Sequence, residues 1–423
     1  MKIETQIKTP AKPTKYGQIP SSWGFGEIGK HIDLTSGFAF KSNEYSTQGV
    51  RLLRCANIKR GHTDWSENIT QFWPGTAGLD QYEMKSGDLV IAMDGSLVGR
   101  SYAVLSEKDV PSLLLQRAAR IRSTEIHVPF LTAFIGSNFF ISYCDAVKTV
   151  TAIPHISAKD IRKFRIPLPP LPEQKKIAAI LSTWDNAISK LKKLITEKED
   201  LKRGLMQQLL TGKKRFSGFT GEWKELELRQ IGSFLKGKGI AKSEMQAQGI
   251  PAVRYGELYT VHHNVIKKFH TFISPESAAN SNELKQGDVV FAGSGETLDE
   301  IGKCAAYVDS GQAYAGGDII ILRPSIEIDS TFLAMLLNSH EVVRERRKLG
   351  QGHSVVHIYS SGLRKLKVQI PAVEEQQKIS RVLITIDNEI DALNRTVKAM
   401  QNQKTGLMQQ LLTGKVRVKI DKK

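Results

Sequence analysis

The sequence predicts an α+β protein. Two tandem α/β domains are each followed by a long α-helix, and the two helices pack as an antiparallel coiled coil with pseudo-twofold symmetry. Three observations support this prediction. The 423-residue chain repeats itself after about 200 residues, and the front of each copy places short apolar runs between glycine, proline and aspartate. The back of each copy has a long heptad pattern of apolar residues.

Length, composition and charge limit the class of protein. A chain of 423 residues is too long for one compact core, so two or more domains are expected. The apolar fraction of 40% and the charged fraction of 24% are those of a globular protein and exclude a fibre or a disordered chain. The formal charge of +17 favours a polyanionic partner such as nucleic acid, the alternative being surface charge that serves solubility.

The sequence also predicts a cytoplasmic protein without a membrane partner. No stretch reaches the roughly 18 apolar residues of a membrane span, and the basic N-terminal segment lacks the apolar core of a signal peptide. The odd number of cysteines, Cys55, Cys144 and Cys304, without metal-binding spacing favours a reducing compartment and no zinc site.

The internal repeat is the strongest feature of the chain. The ten residues GLMQQLLTGK occur at 204–213 and again at 406–415, an offset of 202. Further aligned segments are 49–58 with 249–258, 84–96 with 284–296, 130–140 with 332–342, 155–170 with 357–372 and 171–188 with 373–390. The ends of the two copies agree better than their middles. One scaffold was therefore kept while an inserted surface diverged.

The front of each copy is predicted to be a mixed α/β globule of about 150 residues. The predicted buried strands are VRLLR (50–54), GDLVIAM (87–93), GDVVFAG (287–293) and DIIILR (318–323). Helical segments are expected near 130–143 and 332–347.

The back of each copy is predicted to be one long helix, at about 172–211 and 374–413. Pro172 suits a first helical turn, where a missing N–H costs nothing, and Gly212 and Gly414 are natural C-terminal stops. The apolar seam consists of Ile177, Leu181, Trp184, Ile188, Leu191 and Ile195 in the first helix and of Ile379, Leu383, Ile386, Ile390, Leu393, Val397 and Met400 in the second.

The heptad spacing of this seam indicates that each helix packs on another helix rather than on a sheet. Lys198 and Lys202 interrupt the pattern in the first helix, and Lys404 interrupts it in the second. Two matched helices in one chain most simply pack against each other in antiparallel orientation. The alternative is a pair of amphipathic helices buried in separate cores.

One segment of the chain resembles a catalytic pattern. Phe291-Ala292-Gly293-Ser294-Gly295-Glu296 resembles the FxGxG turn of S-adenosylmethionine-dependent methyltransferases, but the equivalent segment 91–96 lacks it and the chain has no NPPY or DPPY tetrapeptide. No phosphate loop, HExxH or GxSxG motif occurs, and the ten histidines lack metal spacing. We therefore expect no catalytic residue and no metal site.

Basic and polar residues, many at matched positions, are the candidates for DNA binding. Arginine and lysine neutralise phosphates, whereas arginine, glutamine and histidine also read base edges. The candidates are Arg54, Arg100, His155, Arg162, Lys163, Arg165, Arg254, Lys303, Arg346, Arg347, Gln351, His353, His357, Arg364 and Lys365. A solvated face explains any single cluster equally well, and a structural role is favoured for His155 and His357.

The repeated α/β module, the segment IPLPPLPEQKKIA (166–178) and the helix ending LLTGK together resemble the specificity subunits of type I restriction-modification enzymes. The resemblance spans nearly the whole chain, although the second segment, VQIPAVEEQQKIS (368–380), lacks three of the prolines. It implies that each variable domain is a target-recognition domain that reads one half of a split site in double-stranded DNA. About 17–165 and 217–367 would read DNA.

The resemblance also implies partners and cofactors. The paired helices would act as a spacer and dock two subunits of an adenine-specific DNA methyltransferase, and motor-nuclease subunits would join for restriction. This chain would bind no cofactor, whereas the complex would use S-adenosylmethionine in its methyltransferase subunits and ATP with magnesium in its motor-nuclease subunits. The alternative is a stand-alone tandem-repeat DNA-binding regulator without methyltransferase partners.

The predicted domain boundaries follow from the repeat and the helix patterns. They are an N-terminal extension at 1–16, target-recognition domain 1 at 17–168, a central spacer helix at 169–213, target-recognition domain 2 at 214–370, a C-terminal spacer helix at 371–415 and a basic tail at 416–423.

Overall fold

The computed structural model describes residues 10–352 and 355–420. Contacts between residues divide the chain into two compact units. Unit 1 consists of Met1–Lys192 with Thr396–Lys423, and unit 2 consists of Lys193–Arg395. Each unit therefore contains one α/β domain, part of the first long helix and part of the second.

The α/β domain of unit 1 is built from short strands. The strands are Ala11–Thr14, Gly17–Pro20, Gly24–Glu27, Asp33–Ser36, Val50–Leu53, Phe72–Trp73, Leu89–Ala92, Tyr102–Val104, Ser112–Leu114, Ala118–Arg122 and Arg165–Leu168. The α-helices are Val128–Ile135, Asn138–Val147 and Ala158–Lys163, and the 3-10 helices are Ile28–Lys30, Ser42–Glu44, Cys55–Asn57, Asp80–Tyr82 and Glu107–Asp109. The strands predicted within 50–54 and 87–93 are confirmed, as is helical structure near 130–143.

The central sheet of unit 1 is antiparallel, with the strand order Asp33–Ser36, Ala118–Arg122, Leu89–Ala92, Tyr102–Val104. Leu89–Ala92 is buried along its whole length, and its alternate residues enter two different apolar clusters. Asp88, just before this strand, accepts hydrogen bonds from the guanidinium of Arg122 at 2.7 Å and from the backbone N–H of Lys85 at 2.8 Å. These bonds fix the start of the strand against its neighbour.

Unit 2 repeats this arrangement. Its strands are Lys224–Glu227, Gly232–Lys236, Ile250–Val253, Thr271–Ile273, Asn282–Glu283, Val289–Ala292, Ser294–Gly295, Cys304–Ala306, Tyr314–Ala315, Ile319–Pro324, Val356–His357 and Lys367–Ile370. Its short helices are Leu228–Ile231, Lys242–Glu244, Glu257–Thr260, Pro275–Ala279, Ser330–Leu337, His340–Arg347 and Ser360–Leu363.

The central sheet of unit 2 is also antiparallel, with the order Gly232–Lys236, Ile319–Pro324, Val289–Ala292, Cys304–Ala306. Asp288 binds Arg323 at 2.8 Å, as Asp88 binds Arg122 in unit 1. The strands predicted in copy two and the helical structure near 332–347 are therefore confirmed, and the sequence repeat is also a repeat of topology.

The two long helices span Leu171–Leu209 and Val373–Leu412, so both predicted helices are confirmed. Each is followed by a glycine in the left-handed backbone region, Gly212 at φ 69° and Gly414 at φ 70°. L side chains rarely adopt this conformation, which is why glycine commonly ends a helix.

Two polar residues in the first turn of the first long helix anchor it to unit 1. Gln174 accepts the backbone N–H of His127 through Oε1 at 2.9 Å and donates from Nε2 to the carbonyl oxygen of Pro169 at 2.9 Å. Glu173 accepts hydrogen bonds from Nε and Nη2 of Arg417 at 3.0 and 2.6 Å. The counterparts in unit 2 are Gln376 with Asp329 and Pro371, and Glu375 with Arg215.

The long helices pack on each other within each unit. The ion pairs between them are Lys198–Glu389 at 2.6 Å and Lys202–Asp387 at 2.5 Å in unit 2, and Lys404–Asp185 at 2.5 Å in unit 1. In unit 2 the number of the acidic partner falls as that of the lysine rises, so the helices are antiparallel. The predicted pairing is confirmed, and the lysines that interrupt the apolar seam bind acids of the facing helix.

The predicted seam residues are all protected from solvent, completely or in part. Ile177, Leu181, Ile188, Ile195, Ile379, Leu383, Ile386 and Val397 are buried, and Trp184, Leu191, Ile390, Leu393 and Met400 are half-buried. Near the helix ends the seam also joins a domain core, because Ile177 and Leu181 share an apolar cluster with Leu411 and Leu412. The alternative of helices buried in separate cores thus describes only these ends.

Among the described residues, no single helix has the length and apolar character needed to cross a membrane. The helices Val128–Ile135 and Asn138–Val147 reach the required length and apolar character only when they are taken together, and the chain bends by 61° between them.

Candidate DNA interface

Three loops of unit 1 meet where the buried strand Leu89–Ala92 ends. The backbone N–H of Met93 donates to the carbonyl oxygen of Arg117 at 2.8 Å, and the N–H of Ile156 donates to that of Met93 at 2.8 Å. The N–H of Gly95 donates to the carbonyl oxygen of Pro154 at 3.0 Å. These bonds hold loops 93–100, 115–118 and 148–156 together, and we call this region the strand-end cluster.

Asp94 is the central side chain of the strand-end cluster in unit 1. Its Oδ2 accepts a hydrogen bond from Nη1 of Arg117 at 3.0 Å, and its Oδ1 accepts one from the Cys55 thiol at 3.0 Å. Burial, helped by the hydrogen bond with Asp94, raises the pKa of Cys55 to about 12, so this thiol stays protonated and donates. The side chain of Asp94 is 11% exposed, whereas that of Arg117 is 62% exposed. The cluster thus presents a tethered guanidinium to solvent.

Unit 2 has the same backbone arrangement with different side chains. The N–H of Gly293 donates to the carbonyl oxygen of Asp318 at 2.7 Å, and the N–H of Ile358 donates to that of Gly293 at 2.9 Å. Ser294 stands where unit 1 has Asp94, and its hydroxyl lies 3.0 Å from Nδ1 of His357. Asp318 stands where unit 1 has Arg117. The hydrogen-bonded frame is therefore kept while the exposed chemistry changes.

The glycines of the methyltransferase-like segment have a packing role in this frame. A Cβ on Gly293 would lie 2.8 Å from the carbonyl oxygen of Asp318, and one on Gly295 would lie 2.7 Å from the hydroxyl of Tyr259. Ser294–Gly295 also pairs as a strand with Val356–His357. The space beside these glycines is filled by the domain itself, which explains the glycines without a cofactor.

The matched histidines lie in the two strand-end clusters. His155 forms an antiparallel bridge with Asp94, and His357 pairs with Ser294 in the same way. Gln351 exchanges two backbone hydrogen bonds with His357, at 2.9 and 2.8 Å. The candidate His353 lies outside the described residues.

The basic segments after the histidines lie on other elements. Arg162 donates to the carbonyl oxygen of Leu34 at 2.9 Å, and Arg165 stacks on Phe25 at 4.7 Å. Their counterparts and neighbours Lys163, Arg364 and Lys365 are exposed. These residues are accessible to phosphates, and Arg162 and Arg165 contact elements outside the strand-end cluster of unit 1.

Several other candidates are already engaged by their own domain. The contacts are Arg54 with the carbonyl oxygen of Ile69 at 2.8 Å, Arg100 with Asp145 at 2.9 Å, Arg254 with the Met245 sulfur at 3.0 Å, Lys303 with the carbonyl oxygen of Tyr259 at 3.5 Å and Arg347 with Asp299 at 2.7 Å. The hydrogen bond with Asp145 raises the pKa of Arg100, so that pair remains ionised.

Arg346 is the candidate that the structure removes from the surface. It is 2% exposed, and its Nη1 donates to the carbonyl oxygen of Leu337 at 2.8 Å. Leu337 ends the helix Ser330–Leu337, so the buried cation meets the negative end of a helix dipole. Burial lowers the pKa of Arg346. In this structure Arg346 is buried and caps the end of a helix.

Sequence reasoning did not select Asp94, Arg117 or Asp318, because it chose basic and polar residues at matched positions of the two copies and in the run 344–354 of the second copy. The signal that points to these three residues is a difference between the two copies within a strand and turn frame that both copies share.

Within 10–352 and 355–420, no group of three or more His, Cys, Asp or Glu side chains is placed to hold a metal ion.

Comparisons with known proteins give a consistent result. The family model "Type I restriction modification DNA specificity domain" matches residues 20–201 and again 220–400. The MjaVIII specificity subunit of Methanocaldococcus jannaschii is 28% identical over 79% of this chain and 80% of its own length. The Escherichia coli EcoAI specificity subunit is 32% identical over 46% of this chain, and that match spans only 34% of the EcoAI protein.

Solved structures show the same fold. The type I restriction-modification S subunit of M. genitalium aligns with a TM-score of 0.59 and 17% identity over 92% of this chain and 96% of its own. A chain from a study of complex assembly and conformational transition in a type I system aligns with a TM-score of 0.58 and 17% identity over 94% and 99%.

Proposed function

The chain belongs to the family of type I restriction-modification specificity subunits, and from this premise we propose that it reads a bipartite site in double-stranded DNA. In this proposal the two α/β domains comprise 17–168 and 214–370, and each recognises one half of the site. Subunits of this family are non-catalytic and bind no cofactor themselves. The stand-alone regulator is not favoured, because both family matches are to restriction-modification domains.

The observation that supports two readers is the duplicated strand-end cluster. The backbone hydrogen bonds around Met93 recur around Gly293, while the side chains they present differ. A DNA reader needs a fixed frame that positions side chains at base edges, and different half-sites need different side chains. The exposed cations Lys163, Arg364 and Lys365 suit the phosphate contacts that position a protein on DNA.

The long helices have the second role in this proposal. Their ends are fixed to the domains through the buried pairs Glu173–Gln174 and Glu375–Gln376, so a domain cannot rotate freely about its helix. The outer faces dock two methyltransferase subunits, which supply the S-adenosylmethionine site. Motor-nuclease subunits with ATP and magnesium complete a restricting enzyme.

The test is a domain exchange in the assembled enzyme. We expect the chain, co-expressed with the methyltransferase subunits of its own system in a host without other adenine methyltransferases, to yield one split methylated motif by single-molecule sequencing. Replacing 217–367 with the corresponding domain of a relative should change one half of that motif and leave the other intact. A motif altered in both halves, or no split motif for the native chain, would contradict the proposal.

A further inference from the structure

Arg117 combines a constrained backbone with an exposed, oriented side chain. It occupies the third position of a turn closed by a 3.3 Å hydrogen bond from the N–H of Ala118 to the carbonyl oxygen of Leu115. Its φ is 67°, a left-handed value usually taken by glycine or asparagine in such a turn. An arginine at a site that suits glycine points to a use for its side chain, because such strained positions cluster at functional sites.

The surroundings of Arg117 fix where its guanidinium points. The backbone carbonyl oxygen of Arg117 accepts a hydrogen bond from the N–H of Met93 at 2.8 Å. The Cys55 sulfur lies 2.8 Å from the same oxygen, so its single S–H is shared between this oxygen and Asp94. The ion pair with the mostly buried Asp94 uses one N–H of Nη1 and leaves other donors facing solvent. The side chain is therefore oriented before any ligand arrives, which lowers the entropy lost on binding.

We propose that Arg117 is a specificity-determining residue of the first domain that donates two hydrogen bonds to O6 and N7 of a guanine, with Asp94 as its positioning residue. The inference rests on the proposed function, since it names one base contact of that reader. Arginine bound to the O6 and N7 edge of guanine is the commonest specific contact in the major groove.

The second unit favours a base over a phosphate as the partner of Arg117. Both domains would meet a phosphate backbone of the same charge, so a cation in both copies would be expected if this turn served a shared phosphate contact. Unit 2 instead has Asp318 at the equivalent position, and a carboxylate is repelled by phosphate but accepts a hydrogen bond from cytosine N4. A position that changes the sign of its charge between two readers suits base discrimination.

Arg117→Gly is the decisive variant, because glycine relieves the left-handed backbone while removing the side chain. In the assembled methyltransferase we expect unchanged or raised thermal stability. One position of one half-site should lose its preference for guanine by about tenfold to a hundredfold. The other half of the motif is the internal control and should stay intact.

Two further variants separate the possible roles. Arg117→Lys keeps the positive charge but loses the paired donors, so a base reader loses discrimination whereas a phosphate contact leaves the motif unchanged. Asp94→Asn removes the charge that orients Arg117 and should weaken discrimination at the same position.

An intact motif in both Arg117 variants would overturn the inference while leaving the split-site proposal standing. Uniform loss of affinity across all sequences would equally overturn it, as would a large fall in the melting temperature of Arg117→Gly. Failure of the native chain to give any split motif would instead count against the proposed function.

Discussion

Two arginines show how position within the fold decides what the same side chain does. Arg117 has a 62% exposed side chain oriented by Asp94, whereas Arg346 is 2% exposed and hydrogen-bonded to the end of a helix. Sequence patterns selected Arg346, which lies in a visible basic run, and did not select Arg117, which does not. Burial, which a local pattern does not reveal, separates the structural cation from the accessible one.

Arg346→Met tests the structural role at the residue scale. Methionine fills much of the same volume but leaves the carbonyl oxygen of Leu337 without its donor, a loss of roughly 1–3 kcal/mol in the free energy of unfolding. Arg344→Met on the same helix is the matched control, since Arg344 is exposed. We expect denaturant unfolding to report the loss for Arg346→Met alone. Native stability together with lost DNA binding would return Arg346 to the DNA contacts.

At the scale of elements, the long helices combine an apolar seam with ion pairs. The 202-residue offset makes Asp185–Lys404 and Asp387–Lys202 equivalent pairs. Each unit therefore contains the same ion pair between the two helices, which fixes their register. Lys202 and Lys404 have side chains only 21% and 20% exposed, which strengthens the pairs relative to fully solvated ones. The lysines that interrupt the heptad pattern thus specify antiparallel register rather than ending the seam.

Ile188→Lys tests the seam. Ile188 is 7% exposed, and a charge there loses apolar contacts and must be desolvated, at a cost of roughly 2–5 kcal/mol. Ser189→Lys at the adjacent exposed position is the control for stability and should melt like the native chain. We expect a lower melting temperature for Ile188→Lys only, and with it loss of methyltransferase subunits on size exclusion. Equal melting temperatures for the two variants would show that the seam does not stabilise the paired helices.

At the scale of the whole molecule, the formal charge of +17 predicts salt-dependent DNA binding. If about six phosphates are neutralised, the logarithm of the affinity should fall against the logarithm of salt concentration with a slope near −5.

The same titration tests one named contact. Lys163→Ala should reduce the slope by about one if this exposed lysine binds phosphate, whereas Lys193→Ala on the long helix serves as the matched control. Binding by the native chain that does not respond to salt would show that the basic surface faces a different partner.

The sequence by itself determined the repeat, the two long helices and the class of fold. A 202-residue offset with ten identical residues needs no structure to interpret, and heptad spacing is a local property of the chain. The segments PEQ (172–174) and EEQ (374–376) are likewise visible in the sequence, but the reason for these residues lies in tertiary contacts. Glu173 and Gln174 are buried polar residues that tie the helix to Arg417 and His127.

The tertiary structure alone decided which side chains form the candidate reading site. Asp94, Arg117 and Cys55 are separated by up to 62 residues, and hydrogen bonds between strand ends and turns bring them together. A search for shared residues finds the frame, because backbone hydrogen bonds need the same geometry in both copies. The residues that we propose to discriminate between bases differ between the copies, and their placement in that common frame is what brings them to notice.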